Sequence, residues 1–543
     1  MQTEVDQAAT QLENFDLVDD IDVDVATKAL LNPLILHKVL RSLDVPTLKS
    51  VRLVCTLWAD VGATYLGKKG CLAIVSCRDV STPVSIKCEQ QLILSNHDLA
   101  KSIRLIYNRY CDCIVICTCS YLTCLPSNLV RILPEISDKL ETFEFCGVMA
   151  FGPLQELWST YDFPNLTHIY IDAEGDEFDK MATPSKMPQF LLLPNLKVFT
   201  LHMSPNCSND LPRAMMSIMC QNLVNLAPNL EEVDLTAGFY LDLAICEKLK
   251  KLRFHYYPWG FEIDISKVEK MLESCRNSVE NLSLEYLGWS YDYPVELNFH
   301  FPNLTHLGLL AADVYFIKNS LNITNLPKLT RLSIETNSTE FHDDVDLDSV
   351  RDISALLEGY HSRHGGITSL DIRCAHHPQF NNVDEQAPRI LVYLFPAVKE
   401  LKLNLRVEFQ SDYDQYFLSL VETMRSFNDW ELTCGQVQFD IATSYRTPAT
   451  IYDHEFGSLL VIAVLGGVTG WRGLSNTSLQ FTGHRRDRHR HAEFRLLDEM
   501  RDALLSCRAA RSVTIAGFLM DQETKDNFQT FIRENNLPIS VRD

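Results

Sequence analysis

The stretch Pro164-Asn165-Leu166-Thr167-His168-Ile169-Tyr170-Ile171 decides the fold, because its pattern returns along the chain. Pro194-Asn195-Leu196, Pro228-Asn229-Leu230 and Pro302-Asn303-Leu304 repeat the opening triplet, and Pro327-Lys328-Leu329 and Pro396-Ala397-Val398 vary it. In each copy the third residue is followed by apolar residues three and five positions on, as in Leu166, Ile169, Ile171 or Leu304, Leu307, Leu309. Copies without the proline begin at Leu140, Leu249, Val279 and Ile367. The two later positions are i and i+2 of a short strand, so both side chains face the same way. A single unit cannot bury that face. Stacked units can, each strand pairing in parallel with the next and a helix or irregular return closing the other side.

This pattern resembles the leucine-rich-repeat family over roughly residues 100–410. The resemblance implies an α/β solenoid whose strand face carries recognition residues at the positions between the leucines. The anchors from Leu140 to Val398 stand between 19 and 38 residues apart, which predicts longer returns or insertions and an irregular horseshoe. One return is legible as a helix: Ser266 caps Ser266–Cys275, and Val268, Met271, Leu272 and Cys275 line one face. Beyond residue 410 the anchors thin out. Helices are expected over 416–424, 494–505 and 522–533, and strands over 437–441 and 512–515, so residues 411–543 read as diverged repeats and a C-terminal cap.

The N-terminal end has another character. Residues 1–28 are acidic with isolated apolar residues, the composition of a disordered lead. Over 29–70 a short all-α module follows. Asn32 before Pro33 supplies an N-cap and a first-turn proline, and Ile35, Leu36, Val39, Leu40 and Leu43 keep the rhythm of one helical face. Asp44-Val45-Pro46-Thr47 breaks that helix, and Leu48, Val51, Leu53, Val54, Leu57 and Trp58 resume the period. The segment from Leu31 to the closing Leu48-Lys49-Ser50-Val51-Arg52-Leu53-Val54-Cys55-Thr56-Leu57-Trp58 resembles an F-box. It departs from that family's opening, with the proline one place late and Leu34 where Glu is usual. The resemblance implies docking onto the Skp adaptor of a cullin–RING ubiquitin ligase. The adaptor-binding set it implies is Leu31, Pro33, Ile35, Leu36, Val39, Leu40, Leu43, Leu48, Val51, Val54, Cys55 and Trp58.

Composition narrows the function classes. The chain has 543 residues, 46% of them hydrophobic, enough for a large core. Its net charge of −22 repels a phosphate backbone, which argues against nucleic acid as a partner. The start Met1-Gln2-Thr3-Glu4 has neither basic residues nor an apolar stretch behind it, so no secretory signal is expected and a cytoplasmic or nuclear location is. In a reducing compartment the 17 cysteines are expected to be free thiols and the Asn-x-Ser/Thr triplets chance matches. The apolar run Leu459–Val468 is half of the roughly 20 residues needed to span a bilayer, so no membrane contact is expected.

Four stretches look chemical and read better as structure. Gly62-Ala63-Thr64-Tyr65-Leu66-Gly67-Lys68-Lys69 approaches a phosphate-binding loop, but Lys69 stands where Ser or Thr must hold magnesium, and a helix rather than a strand precedes it. Asp344, Asp346 and Asp348 alternate like a calcium loop that lacks its glycine and its final Glu. Cys111, Cys113, Cys117, Cys119 and Cys124 alternate with apolar residues as core thiols of a strand do, whereas zinc sites favour Cys pairs on tight turns. The basic run His484–His491 reads as a solvated loop. No cofactor and no metal are expected. The sequence therefore points to a non-catalytic substrate receptor of a ubiquitin ligase, anchored to the Skp adaptor and cullin scaffold by its F-box and holding a protein substrate on its repeats. Two alternatives stay open: a leucine-rich-repeat scaffold outside any ligase, and an enzyme with a dispersed site in the C-terminal region.

Overall fold

A computed structural model describes residues 30–51, 53–69, 71–76, 102–107, 133–148, 151–174, 190–203, 210–256, 264–286, 299–310, 317, 319–335, 362–376, 386–408, 413–442, 456–485, 495–518 and 520–542. The acidic lead, the Cys111–Cys124 cluster, the Asp344–Asp348 loop and most of the basic run lie outside the described residues. The chain divides into two compact units, Met1–Val198 and Phe199–Asp543.

The first unit contains α1 (Pro33–Ser42), α2 (Val45–Val51), α3 (Thr56–Lys69), β1 (Cys71–Ser76), β2 (Ser102–Tyr107), β3 (Thr142–Val148), α4 (Phe151–Thr160) and β4 (His168–Glu174). Strands β1 to β4 pair in parallel in chain order. Trp158 of α4 is buried and meets Phe143 of β3 and Phe163 edge-on, at ring separations of 5.2 and 5.4 Å. Strand β5 (Val198–Met203) begins where the units divide.

In the second unit the order is α5 (Asp210–Asn225), β6 (Glu232–Ala237), β7 (Lys251–Tyr256), α6 (Ile265–Cys275), β8 (Asn281–Tyr286), β9 (His306–Leu310), β10 (Arg331–Glu335), β11 (Ser369–His376), α7 (Gln386–Leu394), β12 (Glu400–Glu408), α8 (Tyr413–Ser426), β13 (Cys434–Ala442), α9 (Phe456–Val468), β14 (Ser478–Arg485), α10 (Asp498–Ser506), β15 (Ser512–Ala516), α11 (Gln522–Glu534) and β16 (Ile539–Arg542). Strands β6 to β16 form one parallel ladder in chain order. The architecture is α/β and leucine-rich-repeat-like, with one strand for each Leu-x-x-Leu-x-Leu unit. All three apolar positions of every copy are buried. They stack in register: one column runs from Val233 through Leu282 and Leu307 to Leu401, and a second from Leu235 through Leu284 and Leu309 to Leu403.

Polar groups hold the same register. From Leu230 to Val398 the carbonyl one residue after the anchor accepts two N–H groups from the next repeat, as Glu280 does from Thr305 at 2.8 Å and His306 at 3.1 Å. Where Thr follows the anchor, its hydroxyl adds a third bond, from Thr305 to Glu280 at 3.0 Å and from Thr167 to Glu141 at 2.8 Å. The asparagine of the Pro-Asn-Leu triplet reaches back one repeat. Asn165 donates to the Asp138 carbonyl, Asn195 to that of Pro164 and Asn303 to that of Asn277, at 2.6 to 2.7 Å. The triplet thus combines a chain-turning proline, a side chain that satisfies a turn carbonyl, and a core leucine.

Residues 434–542 keep the register although their anchors are atypical. Gly435 stands where the neighbouring strands carry Leu401 and Leu479, because the Trp471 ring occupies that space: a Cβ there would lie 3.1 Å from Trp471 and 2.9 Å from Leu479. Strands β14 and β16 carry no legible anchor and were not expected from the sequence. The apolar run becomes the buried helix α9, and no helix among the described residues is long and apolar enough to cross a membrane. Helix α6 buries Val268, Met271, Leu272 and Cys275 as expected, but its cap is Asp264 rather than Ser266. The Asp264 carboxylate accepts from the Lys267 N–H and from the Ser266 hydroxyl, so a stronger acceptor two residues earlier starts the helix.

Two tests follow from this packing. Gly467 brings α9 against α8 so closely that a Cβ would stand 2.3 Å from the Met424 Cβ and 2.7 Å from the Val421 carbonyl oxygen. Gly467→Ala is expected to destabilise the chain by about 1–3 kcal/mol through overpacking, read as a lowered denaturation midpoint. His364 is buried at the position that Phe163, Phe301 and Phe395 hold in other repeats. Its Nε2 donates to the Leu326 carbonyl at 3.0 Å and its Nδ1 accepts from Gly366 N–H at 3.3 Å, so both nitrogens are engaged in the neutral form. Burial pushes its pKa below 6.5, outweighing the Leu326 bond. The native state then binds this proton less readily than the unfolded chain does. The contribution is complete above pH 6.5 and is lost as pH falls through 6.5 toward the lower native value. His364→Phe is expected to flatten the fall of melting temperature with acidification across that window, and an unchanged slope refutes the assignment.

Candidate functional site

In the N-terminal module Asn32 caps α1, accepting from Leu34 N–H at 2.9 Å, and Asp44 caps α2, accepting from Thr47 N–H at 3.0 Å. Leu36 and Leu40 of α1 meet Leu48 of α2 and Val61 of α3 in a small core, with Leu43, Val51, Leu57, Trp58 and Tyr65 packed around it. Trp58 Nε1 donates to the Leu30 carbonyl at 3.2 Å, tying the chain before α1 to α3.

The expected adaptor-binding set is thereby sorted. Leu31, Pro33, Ile35, Val39 and Val54 are exposed, whereas Leu43, Val51, Cys55 and Trp58 are half-buried. Leu36, Leu40 and Leu48 are no more than 1% exposed: they form the core of the module rather than its surface. Two residues missed in the sequence complete the outer set, Leu34 at 79% and Leu53 at 87% exposure. Leu34 is the residue at which the sequence departs from the expected opening. The apolar period of the sequence places Leu53 on a helix, yet it falls in the turn between α2 and α3. The Gly62–Lys69 segment lies within helix α3.

The second candidate surface is the strand face of the second unit, formed by the residues between the buried columns. Its charges answer one another from strand to strand: Lys251 to Glu232 at 2.5 Å, Arg253 to Asp234 at 3.5 Å, Arg373 to Glu335 at 3.5 Å and Lys402 to Asp371 at 3.5 Å, and His255 Nδ1 lies 3.1 Å from a Glu285 carboxylate oxygen. Burial pushes the Asp234 carboxyl up, but His202, Arg253 and His255 outweigh it and hold its pKa below the usual value. The face is interrupted at β9, where Gly308 sits in register between Ser283 and Ser333. Three neighbouring strands thus lack a large side chain in the same row, leaving a concavity of about 280 Å³.

Among the described residues no group of three His, Cys, Asp or Glu stands ready to hold a metal ion. The buried thiols are held protonated. Burial raises Cys246, assisted by Asp242, to about 11; it raises Cys507 to about 11 and Cys275 to about 12.

No protein-family profile matches the chain, and no curated protein matches it. Among solved structures, the crystal structure of the mouse RP105/MD-1 complex is similar at 13% identity and a TM-score of 0.21, covering 82% of this chain and 91% of that one. The repeat architecture therefore rests on the strand register described above.

The sorting of the module is itself testable. Leu36→Asp places an unpaired carboxylate in the core and is expected to destabilise the module by about 3 kcal/mol or more, whereas Ile35→Asp is expected to leave it folded. Hydrogen exchange over residues 33–69 distinguishes the two, and equal protection in both variants contradicts the sorting.

Proposed function

We propose that the chain is the substrate-recognition subunit of a Skp/cullin/F-box-type ubiquitin ligase. The observation that supports this most is the outward set Leu31, Leu34, Ile35, Val39, Leu53 and Val54 on a small helical module with its own core. Large apolar side chains gathered on so small a module favour a covering partner. The F-box resemblance of the same segment nominates a Skp-type adaptor, and through it the cullin scaffold. The mechanism is positional. The module anchors the chain, and the strand face holds a protein substrate near the ubiquitin-loaded enzyme, which raises effective concentration without catalytic residues in this chain.

Co-expression with a Skp-type adaptor and affinity capture tests the reading. The parent chain is expected to retain the adaptor. Ile35→Asp combined with Val39→Asp is expected to lose it, because both residues are exposed and the change desolvates charge only in the complex. Leu418→Asp, on an exposed site of α8, is the control expected to bind as the parent does. Absence of capture by the parent rejects the ligase assignment in favour of a scaffold outside the ligase, and retention by the double variant rejects the surface.

A further inference from the structure

Gly308 interrupts the strand face without an internal cause. Its backbone is not in the left-handed region, where φ above zero is confined among described glycines to Gly473 and Gly517. A Cβ there would meet only the Ser283 side chain, whose hydroxyl leans over the vacant position at 3.1 Å. Glycine inside a strand weakens it, and it recurs where a ligand approaches the sheet closely. One row carries Arg253, Ser283, Gly308 and Ser333 in register on β7, β8, β9 and β10.

The bonds that the face makes within itself leave a surplus of donors in this concavity. Lys251 is bonded to Glu232 at 2.5 Å and Arg373 to Glu335 at 3.5 Å, and Glu285 lies 3.1 Å from His255 Nδ1. Arg253 differs. It reaches Asp234 at 3.5 Å through charge alone, and His202 approaches the same carboxylate at 3.7 Å. The Arg253 guanidinium and the side chains of Asn281, Ser283 and Ser333 have no hydrogen-bond partner among the described residues, and all four line the concavity. The cations also stand outermost. Lys251, Arg253 and Arg373 are 49 to 51% exposed, against 16 to 33% for Glu232, Asp234, Glu285 and Glu335, so an approaching group meets positive charge first.

We infer that this notch receives a carboxylate side chain, Asp or Glu, from an extended segment of a protein ligand, held by the Arg253 guanidinium and by the Ser283 and Ser333 hydroxyls on either side of Gly308. The inference rests on the strand face being the recognition surface. The contact to Asp234 engages Arg253 Nη1 alone, so the guanidinium fork is open to a bidentate pair with a second carboxylate. The hydroxyls add donors that a carboxylate, with two oxygens and no proton, can accept together. A monoanion suits the site, because Glu285 and Glu335 line the same concavity and oppose the second charge of a phosphate group. The net charge of −22 repels an acidic segment from a distance. At about 0.15 M salt that repulsion is screened beyond roughly 8 Å, which leaves the local donors to decide.

The probe is a fluorescein-labelled peptide of four Gly-Ser-Glu triplets, in anisotropy titrations of the full chain at about 0.15 M salt. It is compared with Gly-Ser-Gln and Gly-Ser-Lys versions and with one carrying phosphoserine in place of Glu. The glutamate peptide is expected to bind best. Arg253→Gln, which removes the guanidinium, and Gly308→Val, which fills the notch, are each expected to weaken it at least about ten-fold. Arg533→Gln, exposed on α11, removes the same charge elsewhere and is expected to change affinity less than about two-fold. If Gly308→Val disturbs folding, the two arginine variants decide. Equal weakening by Arg253→Gln and Arg533→Gln, no preference for glutamate over glutamine and lysine, or full affinity in a folded Gly308→Val chain overturns the inference. Tighter binding of the phosphoserine peptide overturns the carboxylate as the guest. Adaptor capture reads only the helical module, so intact capture with no peptide binding sinks the notch alone, and lost capture with intact peptide binding sinks the ligase reading alone.

Discussion

The carbonyl one residue past the anchor is the joint on which the repeats depend. At Glu141, Thr305, Thr330 and Thr368 it accepts consecutive N–H groups from the following repeat, so it admits one stacking register. A slip by one residue would leave these acceptors unpaired and would turn every leucine of the strand outward. The buried columns that run through Leu282, Leu307 and Leu332 are the apolar consequence of that joint.

Once register is set, the residues between the leucines are placed with equal regularity, and the strand face becomes a grid. Opposite charges fall on neighbouring strands at 2.5 to 3.5 Å, which neutralises the face locally within a strongly acidic chain. Against that background the row Ser283, Gly308, Ser333 is conspicuous for missing bulk rather than missing charge. The N-terminal module follows the same logic with a different period. A helical face of Leu36 and Leu40 turns inward, and the adjoining Ile35 and Val39 remain outside.

The sequence was most legible where one apolar position alone decides the local outcome. The ten anchors from Leu140 to Val398, the inner face of α6 and the Asn32 cap were each readable from neighbours within five residues. The C-terminal strands were harder. Gly435 has surrendered its side-chain volume to Trp471, and β14 is anchored by Thr477, whose hydroxyl bonds to the Leu432 carbonyl in place of an apolar contact. Neither exchange leaves a mark in the Leu-x-x-Leu-x-Leu rhythm, because the compensating group sits tens of residues away.

By itself the sequence determined the repeat unit, the parallel strand class, the helical start and which positions are apolar enough to be buried, because periods of two and of 3.6 residues are local properties of the backbone. Only the tertiary structure decided which apolar residues are left uncovered. Leu36 and Ile35 are equally hydrophobic neighbours, and the arrival of α2 and α3 buries one and leaves the other outside. Likewise only the stacking of β8, β9 and β10 sets Ser283 and Ser333 on either side of Gly308. Their separation in the chain is set by returns of variable length, while their separation in space is set by the constant spacing of hydrogen-bonded strands.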